Sequence, residues 1–338
     1  MSCLIPFVVP VLLFLFAGCA TLSNPAPEAR TWQVHPVIPG GRIDAIADLG
    51  EGVVIAGSRN PKPGHIFRST DCGESWTDLG NLLGEELHTG SVTCLASAGH
   101  GVAYLLTGDA HAWKSEDWGV NWRPLGQVSN MPRHAQFHHS YSMTVLPSGT
   151  VLVSNTNPTG GHVFRSEDGG ATWQDLGAVS PMALYRFEKV KDGVLVNGWA
   201  GRVYRSTDDG RTWRDCGQLS EKALYATEYL GQGIALQGGE DGRLFRSTDD
   251  GDTWAEVARF PDSADDFVQV GDGVIIYTTY TGEKNLYLSK DYGRTWENIG
   301  PVPSGAEGDT WDHAVPVRCG NKVVSAGGTS TGRIVTWR

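Results

Sequence analysis

Ser69-Thr70-Asp71-Cys72-Gly73-Glu74-Ser75-Trp76 is the first of six near-copies of one octet in this chain. The pattern is Ser, any residue, Asp, any, Gly, any, then Thr, Ser or Asn, then Trp. It returns at 115–122, 166–173, 206–213, 247–254 and 289–296. The octet aspartates, Asp71, Asp117, Asp168, Asp208, Asp249 and Asp291, stand 46, 51, 40, 41 and 42 residues apart. A period of that length marks one supersecondary unit copied along the chain.

The unit reads as four short strands. After the fourth octet, Ala223 to Tyr229 gives a first strand, Gly233 to Gln237 a second and Arg243 to Ser247 a third. The fifth octet follows, and Trp254 to Ala258 gives a fourth. Short apolar or alternating runs between Gly and Asp turns read as antiparallel strands. Four strands in about forty residues is the size of one β-propeller blade. A seventh unit lacks an octet: residues 312–319, 322–327 and 333–337 supply three strands. Thr31-Trp32-Gln33-Val34-His35 carries the Thr-Trp that opens fourth strands, so it is expected to complete that blade. Closing the ring removes two open sheet edges. The expected fold is all-β, a seven-bladed propeller with four antiparallel strands per blade, in one domain over 31–338.

Each octet suits the turn between third and fourth strands. An Asp in a tight turn accepts hydrogen bonds from backbone N–H groups, and Ser or Thr hydroxyls do the same. The Gly permits positive φ, and the Trp brings a large apolar body to bury against the neighbouring sheet. These motifs resemble the Asp-box (BNR) repeats of sialidases and related propellers. The resemblance implies that the boxes are structural and lie on the face away from any active site.

The chain holds 44 Gly, 12 Trp and 19% charged residues among 338, with a net charge of −11. Phosphate binding needs clustered Lys and Arg, so nucleic acid is not an expected partner. Residues 4–18 are apolar and too short for a comfortable membrane span. They lead into Phe16-Ala17-Gly18-Cys19, which resembles a bacterial lipobox, with Phe where the pattern prefers Leu. The resemblance implies a signal peptide over 1–19, lipidation at Cys19, a tether over 20–30 and a periplasmic or outer-membrane location. A lipid anchor would be the only membrane contact. Cys72, Cys94, Cys216 and Cys319 remain; an exported chain can pair them, but sequence does not say which.

Function is expected on the face opposite the octets. Aligned repeats place Arg42, Asp44, His88, His138, His139, Tyr141, Tyr185, Arg186, Tyr225, Asp265, Asp266, Trp311, Asp312 and His313 at the starts of the inner strands. Loops at 59–62, 155–158 and 280–284 join them. Aromatic faces stack on sugar rings, and His, Asp and Tyr exchange protons. No metal and no cofactor are expected, since paired His residues in one strand point to opposite faces. Sialidases hold the substrate carboxylate with three arginines, the first in a Phe/Tyr-Arg-Ile-Pro motif. Gly41-Arg42-Ile43-Asp44 keeps only Arg-Ile, and Arg68, Arg165, Arg205 and Arg246 precede box serines as part of the repeat. The expected function is therefore a monomeric, surface-tethered binding propeller for a glycan or protein partner. The alternatives are a glycan-cleaving enzyme, lyase or glycosidase, using a His/Tyr/Asp cluster, and a complex-assembly factor.

Overall fold

The computed structural model describes residues 32–34, 42–58, 64–81, 91–129, 141–157, 160–279, 284–301, 315–327 and 333–337. The expectations for the leader, Cys19 and the tether lie outside them. The described residues form seven four-stranded antiparallel sheets. Blade 5, for example, runs Leu224–Gly231, Ile234–Gly239, Arg243–Ser247 and Ala255–Arg259. Blade 7 takes Val315–Cys319, Lys322–Gly327 and Arg333–Trp337, and its outer strand is Trp32–Val34. Trp32 pairs with Trp337, Gln33 with Thr336 and Val34 with Val335, closing the ring as the sequence implied.

A second closure sits at the same junction. Cys72, in the first octet, is disulfide-bonded to Cys319 at the end of the blade 7 inner strand, 247 residues away. Fixing so long a loop removes enough unfolded-state entropy to stabilise the ring by about 5 kcal/mol on the chain-entropy model. Lys322 Nζ also meets Glu74 Oε1 at 2.7 Å across this junction. Cys94 and Cys216 are free thiols, which decides the pairing that sequence left open.

The octets are hydrogen-bonded turns. In the first, Ser69 Oγ donates to Asp71 Oδ1 at 2.7 Å and accepts the Gly73 N–H at 2.8 Å. Asp71 also accepts the Ser75 N–H at 2.9 Å and the Ser75 hydroxyl at 2.5 Å. The same network recurs around Asp117, Asp168, Asp208, Asp249 and Asp291. The glycine has two reasons to be glycine. Gly210 sits at φ +78°, and a Cβ there would lie 2.7 Å from the Leu152 side chain of the preceding blade. Each octet Trp packs on a core shared with that preceding blade; Trp213, for instance, joins Leu152, Phe187 and Val196.

The arginines before the octets tie blade to blade. Arg68, Arg165, Arg205 and Arg246 each donate Nε to a backbone carbonyl in the next octet, those of Trp118, Asp209, Asp250 and Tyr292, at 2.7 to 3.0 Å. They are repeat furniture, as the sequence indicated. One expectation is corrected: residues 155–157 are not loop. They extend the strand Val151–Asn157, paired with His162, Gly161 and Gly160. Gly160 at φ +122° lets the ladder run on where a side chain would collide with the Ser180 carbonyl.

Candidate functional site

The inner strands are Ile43–Gly50, Val92–Gly99, Tyr141–Val145, Leu184–Val190, Leu224–Gly231, Ala264–Gly271 and Val315–Cys319. Each touches the inner strands of both neighbours, so together they surround the channel. Strand registry makes Ala47, Ala96, Thr144, Glu188, Glu228, Val268 and Val317 equivalent. Two residues earlier, on the same strand face, stand Ala45, Cys94, Ser142, Arg186, Ala226 and Asp266. Most of these are small. The charged exceptions fall in blades 4, 5 and 6.

Arg186 Nη1 donates to Asp266 Oδ1. Their blades are not neighbours, so the contact passes in front of blade 5, where the equivalent residue is only Ala226. Asp266 is 4% exposed, while Arg186 keeps 31% of its side chain open. Below them, Glu188 accepts the Tyr229 N–H at 3.1 Å and Glu228 accepts the Gln269 N–H at 3.0 Å. Each carboxyl thereby stitches its blade to the next. A buried relay supports the Arg186 backbone: Asn197 Oδ1 accepts its N–H at 3.0 Å, and Asn197 Nδ2 donates to Gln237 Oε1 at 2.9 Å.

Three carboxyls share one guanidinium, and their protonation reflects it. Burial pushes Asp266 up to about 6 despite the opposing Arg186. Burial pushes Glu188 up to about 7, partly offset by the Tyr229 N–H and by Arg186. Glu228 is raised by burial and then by the fields of Glu188 and Asp266. Arg186 loses solvation, yet Asp266 more than compensates and holds it firmly charged. Burial pushes the free thiol of Cys94 up to about 11. Burial thus favours the neutral form of all three carboxyls.

At the mouth of blades 4 and 5 lies an aromatic group. The Tyr185 ring is 5.4 Å from Tyr225 and 6.4 Å from Trp199. Trp199 stands on the short 3-10 turn Trp199–Gly201, between second and third strands of blade 4. Its N–H donates to the Ala183 carbonyl at 2.9 Å, which anchors the turn beside the inner-strand start. Trp199 is 38% and Met182 43% exposed, large values for apolar side chains. Burial, then the fields of Tyr225 and Glu240, raises the Tyr185 phenol, so it remains a neutral hydrogen-bonding group.

The structure brings together two sets of the residues singled out from sequence: Arg186 with Asp266, and Tyr185 with Tyr225. Arg42 and Asp44 bond each other at 2.5 Å. Asp265 is half-buried beside Asp266. Tyr141 opens the blade 3 inner strand opposite Asn155. His88, His138, His139, Trp311, Asp312 and His313 lie outside the described residues. Sequence reasoning missed Glu188 and Glu228. Their signal was a Glu at the same repeat position of two inner strands whose other members carry Ala, Thr or Val. Among the described residues no three His, Cys, Asp or Glu converge to hold a metal ion.

No family model matches the chain. It is 26% identical over 141 residues to xyloglucanase Xgh74A of Acetivibrio thermocellus, covering 34% of this chain and only 16% of that enzyme. In fold it is similar to YCF48 bound to D1 peptide, with a TM-score of 0.65, 12% identity, and 93% and 98% of the two chains covered. YCF48 from Cyanidioschyzon merolae superposes with a TM-score of 0.64, 13% identity, and 91% and 98% coverage. The GH74 enzyme of Niastella koreensis gives a TM-score of 0.59 at 16% identity, over 86% of this chain and 51% of that one. These likenesses establish a seven-bladed propeller.

Proposed function

We propose that this chain is an Asp-box propeller of the sialidase-like kind that binds a glycan or protein partner at its channel face without cleaving it. The carrying observation is the Tyr185–Tyr225–Trp199 group at the channel mouth, half-open and backed by the hydrogen-bonded turn Trp199–Gly201. Aromatic side chains beside polar tips gain binding energy with little ordering cost. The charged groups behind them bond to one another or to backbone, as structural groups do. The full-length likeness to a peptide-bound propeller is compatible with this reading. Lipidation at Cys19 and export complete it, and the Cys72–Cys319 disulfide suits an oxidising compartment.

A second reading, a glycan-cleaving enzyme, rests on the raised carboxyls Glu188 and Asp266, since acid–base pairs are tuned this way. The weak match to a xyloglucanase agrees with it. One experiment separates them: a panel of soluble glycans and tiled peptides, scored for binding and for new reducing or unsaturated ends. Tyr185→Ala is expected to weaken binding about tenfold, with no turnover in either protein. Turnover abolished by Glu188→Gln would establish the enzyme instead. Binding indifferent to Tyr185→Ala and to Trp199→Ala would remove the channel-mouth site.

A further inference from the structure

On the opposite face, the octet arginines differ in one telling respect. Arg165, only 4% exposed, gives Nη1 to Glu167 Oε1 at 2.6 Å and Nη2 to Asp209 Oδ2 at 2.8 Å. Arg211, from the next octet, closes on the same Glu167 oxygen with Nη2 at 2.5 Å, while its Nη1 leans on the Asp208 carbonyl at 3.2 Å. A carboxylate thus sits between two guanidiniums at the blade 3–blade 4 junction. At the next junction Asp252 Oδ1 sits between Arg205, at 3.1 Å, and Arg214, at 2.5 Å. Lys114 of blade 2 has Glu116 at 2.6 Å.

The blade 5–blade 6 junction keeps the cations and loses the anion. Arg246 occupies the Arg165 position, and Arg294 the Arg211 position. Arg294 even repeats the Arg211 pose, with Nη1 on the Asp291 carbonyl at 3.4 Å. The residue equivalent to Glu167 is Thr248, and the one equivalent to Asp209 is Tyr292, whose hydroxyl is spent on Asp272. Among the described residues neither arginine has an ion-pair partner. Arg246 is 9% exposed, and its Nη2 is buried with no hydrogen-bond partner. Burial, followed by the field of Arg294, depresses its pKa. Asp291 offsets the mutual repulsion of Arg246 and Arg294 only in part, and an incoming anion relieves both guanidiniums.

We propose that this junction is a binding site for a carboxylate on a partner polypeptide, held between Arg246 and Arg294 as Glu167 is held between Arg165 and Arg211. The repeat itself supplies the template: the occupants at the neighbouring junctions are Glu and Asp side chains. Access is also templated, because Glu167 is 58% exposed although Arg165 is buried. The cleft between octets 4 and 5, lined by Arg205, Trp213, Arg214 and Asp252, shows that these junctions open to solvent. The site lies on the face away from the channel mouth and does not depend on the proposed channel-face function.

The test uses the full chain at low chloride, with acetyl-Gly-Glu-Gly-amide as probe and the Gln analogue as neutral control, read by arginine side-chain NMR shifts. The Glu peptide is expected to shift Arg246 and Arg294, and the Gln peptide to leave them in place. Arg294→Gln should weaken binding about tenfold. Thr248→Glu, which restores the internal carboxylate, should abolish binding and raise Tm by about 1 °C. Tyr185→Ala should leave this binding intact. Equal response to both peptides, binding that survives Thr248→Glu, or tighter binding of methyl phosphate or glucuronate than of the Glu peptide would overturn the proposal.

Discussion

The octet aspartates and the channel carboxyls are the same chemical groups treated in opposite ways. Thr172, through its hydroxyl and N–H, and then Ser166 hold Asp168 at about 2. Partial burial pulls Asp208 upward, but the Thr212 and Ser206 donors outweigh it and leave it at about 2 as well. In the channel, burial wins and Asp266 and Glu188 rise to about 6 and 7. The octet face repeats the same donors in six blades, whereas the channel carboxyls occur in three. Scaffold is found where the repeat is kept, and candidate function where it is broken. The Arg246–Arg294 junction is a second break, of charge balance, on the otherwise regular face.

The largest test strikes the octet side. Gly210→Ala forces a Cβ into a left-handed turn and against Leu152, and is expected to cost about 3 kcal/mol in urea unfolding. A loss under 1 kcal/mol would show that the octets tolerate separation from the preceding blade. Next comes the channel. Arg186→Met leaves Asp266 buried without its cation, which should cost about 2 kcal/mol at pH 8, a figure reduced for the partial exposure of Arg186. At pH 5 the loss should shrink, because Asp266 then takes up a proton. An equal loss at both pH values would mean that the pair acts by packing alone.

The smallest effect is a pH profile with two limbs. The octet aspartates have depressed folded pKa values, so their stabilisation is present above their unfolded value near 4 and is lost as pH falls toward 2. Asp266 and Glu188 have raised folded values, so they subtract stability as pH climbs from about 4 to 7. Stability from these groups is therefore greatest near pH 4 to 5. Glu188→Gln with Asp266→Asn should flatten the upper limb and leave the lower one. Asp208→Asn should soften the lower limb by a few tenths of a kcal/mol and leave the upper one. A profile unchanged by the channel pair would dissolve the contrast between the two regions.

Much of the fold was legible because it is written locally. A turn needs Asp, Ser and Gly at fixed offsets, so the octets exposed the blades, and the Thr-Trp at 31–32 exposed the closing strand. The candidate site was legible only in pieces. Arg186 and Asp266 could be named as inner-strand residues, but nothing in their 80-residue separation marks them as a pair. Glu188 and Glu228 read as ordinary mid-strand residues until registry aligned them with Ala47, Ala96 and Val268. Residues 155–157 read as part of a loop when the repeats were aligned and proved to be strand, because the glycines at 160 and 161 left room for the ladder.

The amino-acid sequence by itself determined the period, the blade count and the octet turns, since each depends on contacts within one unit of about forty residues, and it exposed the closing strand through the Thr-Trp that the repeat sets at the start of fourth strands. Only the tertiary structure decided that Cys72 pairs with Cys319 and that Arg186 meets Asp266 past blade 5. It also decided that Arg246 and Arg294 share a junction with no ion-pair partner among the described residues. Those outcomes depend on which residues a closed ring places side by side. Ring geometry is a property of all seven blades, and no single repeat contains it.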